Sequence, residues 1–294
     1  RSSWAVEQYG VNEFDAEIVG LGPGLGVRDD TELSLAGLQN KLLLVATERG
    51  WGRPVGGQPS THILKIDDQR FPGLVSAEAA ALRLARGLGL GDLDPQLHQI
   101  EGVDCLIVAR YDRLRAADGT IGRVHQEDSC QALGVMPDAH RGRGKYESSG
   151  GPTFAQIASL LRRYSADSGD ELDRLVRMIA FTMIIGNADG HGKNLSLLYP
   201  APGMPTLAPL YDTVPTVLWP RLRTTAAMSV AGETEFIRIG LDAITREAEG
   251  WGMPGERARS LAVDVVERAL RAASGLGHDQ VGELVTGRAT QMLG

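Results

Sequence analysis

Apolar positions in the first third of the chain recur at strand spacing, and over most of the remainder at helix spacing. Leu42-Leu43-Leu44-Val45 reads as one buried strand and Thr61-His62-Ile63-Leu64-Lys65-Ile66 as a second. The turn-rich stretch from Gly50 to Pro59 between them predicts a hairpin. Lys65 points opposite to its apolar neighbours Leu64 and Ile66. Ser76 is placed to cap a helix running through Glu78 to Ala85, with Gly87 and Gly89 ending it. Gln96–Ile100 and Val103–Arg110 give two more strands. Residues 1–30 carry Gly22, Pro23, Gly24 and Gly26 and then Arg28-Asp29-Asp30, and read as a connector.

Beyond residue 112 the period lengthens. Thr153 with Gln156, and Ser168 with Glu171, form capping boxes ahead of apolar residues at helical spacing. The second helix runs through Leu172, Leu175, Val176, Ile179 and Met183. Its last turns are apolar nearly all round, which places it at the centre of its surroundings. Leu195–Tyr199 and Thr206–Leu210 flank a Pro/Gly turn and predict a short hairpin. Residues 243–293 read as two or three amphipathic helices. The expected fold is α+β and bilobal, with a small β-rich N-lobe (31–112), a larger α-helical C-lobe (113–294) and a cleft between them.

Composition narrows the function classes. A net charge of −7 argues against a chain built to track nucleic-acid phosphates, although Arg141, Arg143 and Lys145 form a local basic patch. Cys105 and Cys130 lack metal-ligand spacing and read as buried thiols rather than a zinc site. No apolar run is long enough for a membrane span, and no signal peptide is evident, so the expected compartment is the cytoplasm with no membrane partner.

Candidate chemistry concentrates in Asn187-Ala188-Asp189-Gly190-His191-Gly192-Lys193-Asn194, followed by the apolar Leu195-Ser196-Leu197-Leu198. An Asp five residues before an Asn is the spacing of a phosphoryl-transfer catalytic loop. There the Asp orients or deprotonates the attacking hydroxyl and the Asn holds magnesium on the nucleotide phosphates. Such a loop needs further parts. Lys65, with Glu78 thirteen residues later, is the candidate phosphate-holding pair, although a lone Lys at a strand end is ordinarily a solvated charge. Asp212, just after the hairpin, occupies the place of a magnesium-binding acid, where a lone Asp is ordinarily a turn residue. Leu33 to Lys41 is the candidate phosphate loop. Its small residues Ser34, Ala36 and Gly37 would let backbone N–H groups approach phosphate oxygens. Gly22-Pro23-Gly24-Leu25-Gly26 fits no phosphate motif and reads as a linker. His191 reads as a loop-structuring imidazole bonded to backbone or to Asp189 rather than a metal ligand.

Taken in order, several segments resemble the HipA family of bacterial serine/threonine kinases, the toxin half of type II toxin–antitoxin pairs. They are Ser34 to Lys41, Ser60 to Lys65, Ala109 to Arg113, His125 to Gly134, Lys145-Tyr146-Glu147 with Gly150-Gly151-Pro152, Asn187 to Leu198, and Pro209 to Asp212. The resemblance implies ATP and Mg2+ as cofactors, Asp189 as catalytic Asp, and Asn194 and Asp212 as metal ligands. It implies Lys65 on the phosphates and Lys193 near the transferred group. It implies the backbone at Ala109 and Tyr111 on the adenine, and Asp112 near the nucleotide. It makes Ser34 the autophosphorylated residue, whose added charge would eject the phosphate loop and silence the kinase. It further implies an aminoacyl-tRNA synthetase substrate, of glutamyl type, and a DNA-binding HipB-like antitoxin. Two departures stand out. Asn40 occupies a position where an acid is common in the family, and nothing matches the family's additional N-terminal subdomain, which would be absent from this fragment or supplied by a separate protein. A kinase of this fold acting on another protein or a lipid headgroup, and a pseudokinase binding module, are the alternative readings.

Overall fold

The computed structural model describes residues 5–10, 12–20, 40–201 and 203–294. Residues 33–39 of the candidate phosphate loop, Ser34, Ala36 and Gly37 among them, and the Gly22–Gly26 linker lie outside the described residues. A sheet-rich part is built from β1 (Ala5–Gln8), α1 (Glu13–Gly20), β2 (Lys41–Thr47), β3 (Gly50–Val55), β4 (His62–Ile66), α2 (Leu74–Gly87), β5 (Gln96–Ile100) and β6 (Val103–Ala109). Its six strands run in the order β1-β3-β2-β4-β6-β5, each neighbouring pair antiparallel.

Three local expectations change here. The opening stretch is more than a connector, because β1 joins the sheet edge and α1 brings Ile18 against Leu44, Leu64, Ile66, Cys105 and Ile107. The expected loop 50–59 contains β3, so the hairpin from β2 is made with β3, and β4 pairs with the other edge of β2. Gly52 disguised that strand. A Cβ there would lie 2.4 Å from Val6, so the approach of β1 requires glycine. Finally, α2 starts at Leu74, with Asp67 accepting from the N–H groups of Gly73 (2.6 Å) and Val75 (3.0 Å). Ser76 is inside the helix and its hydroxyl donates to the Gly73 carbonyl.

The helical part follows β7 (Arg113–Arg115), β8 (Ile121–Arg123) and β9 (His125–Asp128). It contains α3 (Ser129–Leu133), the four-residue turn α4 (Ala139–Gly142), α5 (Phe154–Tyr164), α6 (Ser168–Ile184), β10 (Ser196–Ala201), β11 (Met204–Leu207), α7 (Leu241–Gly250), α8 (Gly255–Ala272) and α9 (Asp279–Leu293). The Thr153–Gln156 capping box forms as expected. At α6 the cap is Asp167, not Ser168, and Glu171 is buried, accepting from the Leu207 N–H at 2.7 Å. The predicted β10–β11 hairpin gains β9 as a third strand, which its polar sequence His-Gln-Glu-Asp does not signal. α6 runs through one continuous core shared with α5, α7, α8 and α9, and its C-terminal end delivers the catalytic-loop candidate. Among the described residues no helix is long and apolar enough to cross a membrane.

Candidate active site

The sheet presents two lysines to the cleft. Lys41 and Lys65 are direct cross-strand partners on β2 and β4, an arrangement that repels unless an acid sits between them. Asp212 supplies that acid from the helical part, with Oδ1 2.5 Å from Lys65 Nζ and 3.8 Å from Lys41 Nζ. Lys65 also pairs closely with Glu78 on α2, as the sequence suggests. The bland reading of Lys65 as a solvated charge therefore fails, since the residue is 4% exposed and bridges two carboxylates. Burial would lower the Lys65 pKa, but Asp212 and Glu78 together raise it, so the ammonium stays charged. Burial would raise the Asp212 carboxyl, yet Lys65 and Lys41 hold it well below the usual carboxylate range. Burial pushes Glu78 up, partly opposed by Lys65.

Asp212 adopts φ +51, the left-handed region that Asp and Asn tolerate better than most residues. Its second oxygen accepts from Asn194 Nδ2 at 3.1 Å. Asn194 Oδ1 accepts in turn from the His191 N–H at 3.2 Å. Two of the expected metal ligands thus stand side by side, and both side chains offer the hard oxygen donors that magnesium takes.

The loop after α6 is built to hold its shape. Gly186, at φ +62, turns the chain where a Cβ would meet Val217 at 2.4 Å. Thr216 Oγ1 accepts from the Ala188 N–H (2.7 Å), and Asn187 Oδ1 from the Asp189 N–H (3.1 Å). Gly192 packs on Pro152, whose ring atoms would lie 2.5 Å from a Cβ. Asp189 is buried and accepts from the Tyr146 hydroxyl at 2.5 Å. Gly151 lies against the Tyr146 backbone, 2.6 Å from where its Cβ would stand. The segment Lys145 to Pro152 is therefore the bed of the catalytic loop, a role the sequence reading leaves unassigned.

His191 departs from expectation. Its imidazole is buried, both ring nitrogens lack a hydrogen-bond partner among the described residues, and its ring meets Tyr146 edge-on at 5.2 Å. Burial, followed by the charge of Lys145, pushes its pKa down to about 3, so the ring is neutral. Lys193 is exposed on the rim of a cavity of about 430 Å³ that Lys41, Lys145, His191, Asn194 and Asp212 also line.

A second cavity, of about 200 Å³, lies between the sheet and β9. Ile63, Leu82, Leu93 and Val108 make its apolar wall, with Tyr111 and Tyr211 ring centroids 5.5 Å apart. Ala109, Arg110, Tyr111 and Asp112 form the strand exit at its edge. The Arg110 N–H reaches the Thr61 carbonyl, so Ala109 opposite His62 is a non-hydrogen-bonded pair. The Ala109 N–H and C=O consequently point the other way, beyond the position where β5 stops at Gln96 opposite Ile107. Asp112 lines this cavity, but its carboxylate is engaged by Arg110 (2.9 and 2.8 Å) and Arg113 (2.5 Å). It braces the strand exit and presents no free oxygen pair to a ligand. The structure thus brings together Lys65, Glu78, Lys193, Asn194 and Asp212 on the walls of the two cavities, with Asp189 buried in the loop that carries Lys193 and Asn194. Lys41, Lys145 and Tyr146 are the members that sequence reasoning did not assign.

Comparison with known proteins gives this geometry a context. The model of the HipA-like C-terminal domain matches residues 33–273. A Sinorhizobium fredii protein, Y4mE, named provisionally as a kinase, is 40% identical over 280 residues, covering 91% of this chain and 65% of the relative. The serine/threonine-protein kinase toxin HipA of Shewanella oneidensis is 30% identical over 247 residues, covering 81% of this chain and 55% of that protein. A chain in the solved complex of Shewanella oneidensis HipA, HipB and operator DNA superposes on the whole chain with a TM-score of 0.84 at 24% identity, covering 71% of its own length. That likeness establishes the fold. The chain spans between 55% and 65% of the length of these two sequence relatives.

Proposed function

The chain belongs to the HipA-like C-terminal domain family, and from that premise we propose that it is an ATP- and magnesium-dependent serine/threonine protein kinase. The observation that carries this reading is the Lys65 bridge between Glu78 and Asp212, with Asn194 on the far oxygen of Asp212. A lysine this deeply placed between two acids is arranged to meet phosphate oxygens. In this reading Asp212 and Asn194 hold the magnesium, whose charge when bound would offset that of the phosphates. Asp189, held by Tyr146, orients the acceptor hydroxyl and takes its proton, while Lys193 stands near the transferred group. The apolar slot of Ile63, Leu82, Leu93 and Val108 receives the adenine, and the outward-pointing backbone at Ala109 and Tyr111 reads its edge. Ser34, Ala36 and Gly37 cover the phosphates, and phosphorylation of Ser34 switches the enzyme off. By the same family reading the substrate is an aminoacyl-tRNA synthetase, the biological role is that of a toxin, and the partner is a HipB-like antitoxin.

The test is transfer of labelled phosphate from ATP with magnesium, by the protein and by its Asp189→Asn and Lys65→Met variants. Label in the parent alone, lost on chelation, supports the reading. Absence of label, together with absence of ATP binding, would sink it.

A further inference from the structure

A carbonyl in the last turn of α6 receives a side chain from α9. Met183 O accepts from the Gly186 N–H at 3.3 Å, the bond that turns the chain toward Asp189, and from Arg288 Nε at 3.4 Å. Arg288 Nη1 donates to Gln291 Oε1 at 2.7 Å, and Gln291 Nε2 donates in turn to the Ile237 carbonyl. The guanidinium lies over the Phe236 ring, with Cζ 5.7 Å from the centroid. Three elements thus converge on one side chain: the end of α6, α9 and the short turn Phe236–Arg238.

The guanidinium has no carboxylate partner among the described residues, and its Nη2 is buried there without a hydrogen-bond acceptor. Burial lowers its pKa with no acid opposing the shift, yet arginine keeps its charge. Drawing a cation out of water with no acid and one donor unmet destabilises a fold. The negative end of the α6 dipole and the face of Phe236 offset that only in part. An uncharged side chain of similar length would fill the same space without the loss. Local choices that oppose stability concentrate where function needs them. This one falls at the point where α6 gives way to the loop of Asp189. The loop's other anchors, Thr216 on the Ala188 N–H and Tyr146 on Asp189, act beyond the Gly186 turn, and Arg288 acts ahead of it.

We propose that Arg288 is a positioning residue for phosphate transfer, fixing the carbonyl at which α6 ends and thereby the place of Asp189. Its effect on rate rests on the kinase reading, whereas its effect on the loop rests on the geometry alone.

The test compares the parent protein with Arg288→Met, which fills the site without charge. kcat for transfer of labelled phosphate should fall about tenfold with KM for ATP unchanged, because the Lys65 bridge is left intact. The melting temperature should stay level or rise, since the charge without an acid is gone. A merely structural arginine gives the reverse, a lower melting temperature with kcat preserved. Arg288→Lys keeps the charge but not the fork, and should recover only part of the rate. Arg288→Ala should regain rate with millimolar guanidinium but not with sodium chloride of the same strength. An unchanged kcat in Arg288→Met, a rate loss accompanied by a lower melting temperature, or no response to guanidinium overturns the proposal. Deuterium exchange supplies a readout that needs no activity. Peptides covering residues 185–191 should exchange about tenfold faster in Arg288→Met than in the parent. Equal exchange overturns the proposal whatever the rate does. If the parent transfers no phosphate, faster exchange leaves Arg288 as the anchor of the loop, and the kinase reading alone falls.

Discussion

Two carboxylates of the candidate site, Asp212 and Asp189, are held by opposite means. Asp212 is ringed by charge from across the cleft, with Lys65 and Lys41 on strands of the sheet and 147 residues separating it from Lys65. Asp189 accepts from the neutral phenol of Tyr146, and its loop is shaped by Asn187, Thr216 and Pro152, all within the helical part. The charge pairing of Asp212 exists only where the two parts meet, whereas the hydrogen bonds named for Asp189 and its loop join segments of the helical part. Damage at the first should therefore register as lost stability and lost nucleotide binding. Damage at the second should register as lost rate in an intact fold.

The largest expected effect comes from Lys65→Met, which leaves buried Glu78 and partly exposed Asp212 facing each other without their shared cation. Removing one partner of a buried pair costs about 3–5 kcal/mol, measurable by urea unfolding. A loss below about 1 kcal/mol would break the comparison. The pH dependence follows. Asp212 has a depressed folded pKa, so its stabilisation is present above the ordinary carboxylate range and disappears as pH falls through the folded value. Lys65 has a raised one, so its share is present below the ordinary lysine value and disappears as pH rises through the folded value. The variant should lack both dependences.

Asp189→Asn should reduce phosphate transfer about 10²–10⁴-fold while changing unfolding free energy by less than about 1 kcal/mol. A comparable loss of stability would erase the distinction between the two acids. Gly192→Ala tests whether the bed of the Asp189 loop is as rigid as its packing on Pro152 requires. Overpacking there should cost about 1–3 kcal/mol, with ATP affinity unaffected. The smallest effect concerns His191, whose pKa lies near 3 in the fold. The unfolded chain binds a proton at higher pH than the folded one. Stability should thus fall as pH drops below about 6.5, by at most ~1.4 kcal/mol per unit. His191→Gln should flatten that slope in thermal melts between pH 7 and pH 4, and an unchanged slope would assign the acid sensitivity to other groups.

Legibility in the sequence followed the range of the interaction. Strands β2, β4 and β6 and helices α5 to α9 were readable, because each buries apolar positions at its own period. β3 was not, since Gly52 answers to contact with Val6 on a distant segment, and β9 was not, since its partners rather than its own side chains make it a strand. The Lys65–Glu78 pair was foreseeable from spacing, whereas the contact of Lys65 with Asp212, 147 residues away, was not. Tyr146 was not: nothing local distinguishes a tyrosine that packs from one whose hydroxyl finds an acid 43 residues later.

α2 has a further consequence. One side, Val75, Ala79 and Leu82, packs on the sheet. The other, Ala77, Ala80, Ala81, Leu84 and Ala85, is built into the large helical core. Just beyond it, Leu90 accepts from the Leu210 N–H at 3.0 Å, two residues before Asp212. A helix wedged between two cores cannot swing outward to withdraw Glu78 from Lys65 without opening both. Switching by a pivoting regulatory helix, a device open to kinases whose helix sits on one surface, is thereby closed to this architecture. The amides of Ala79 to Ala85 should be among the slowest in the molecule to exchange with deuterium, on or off.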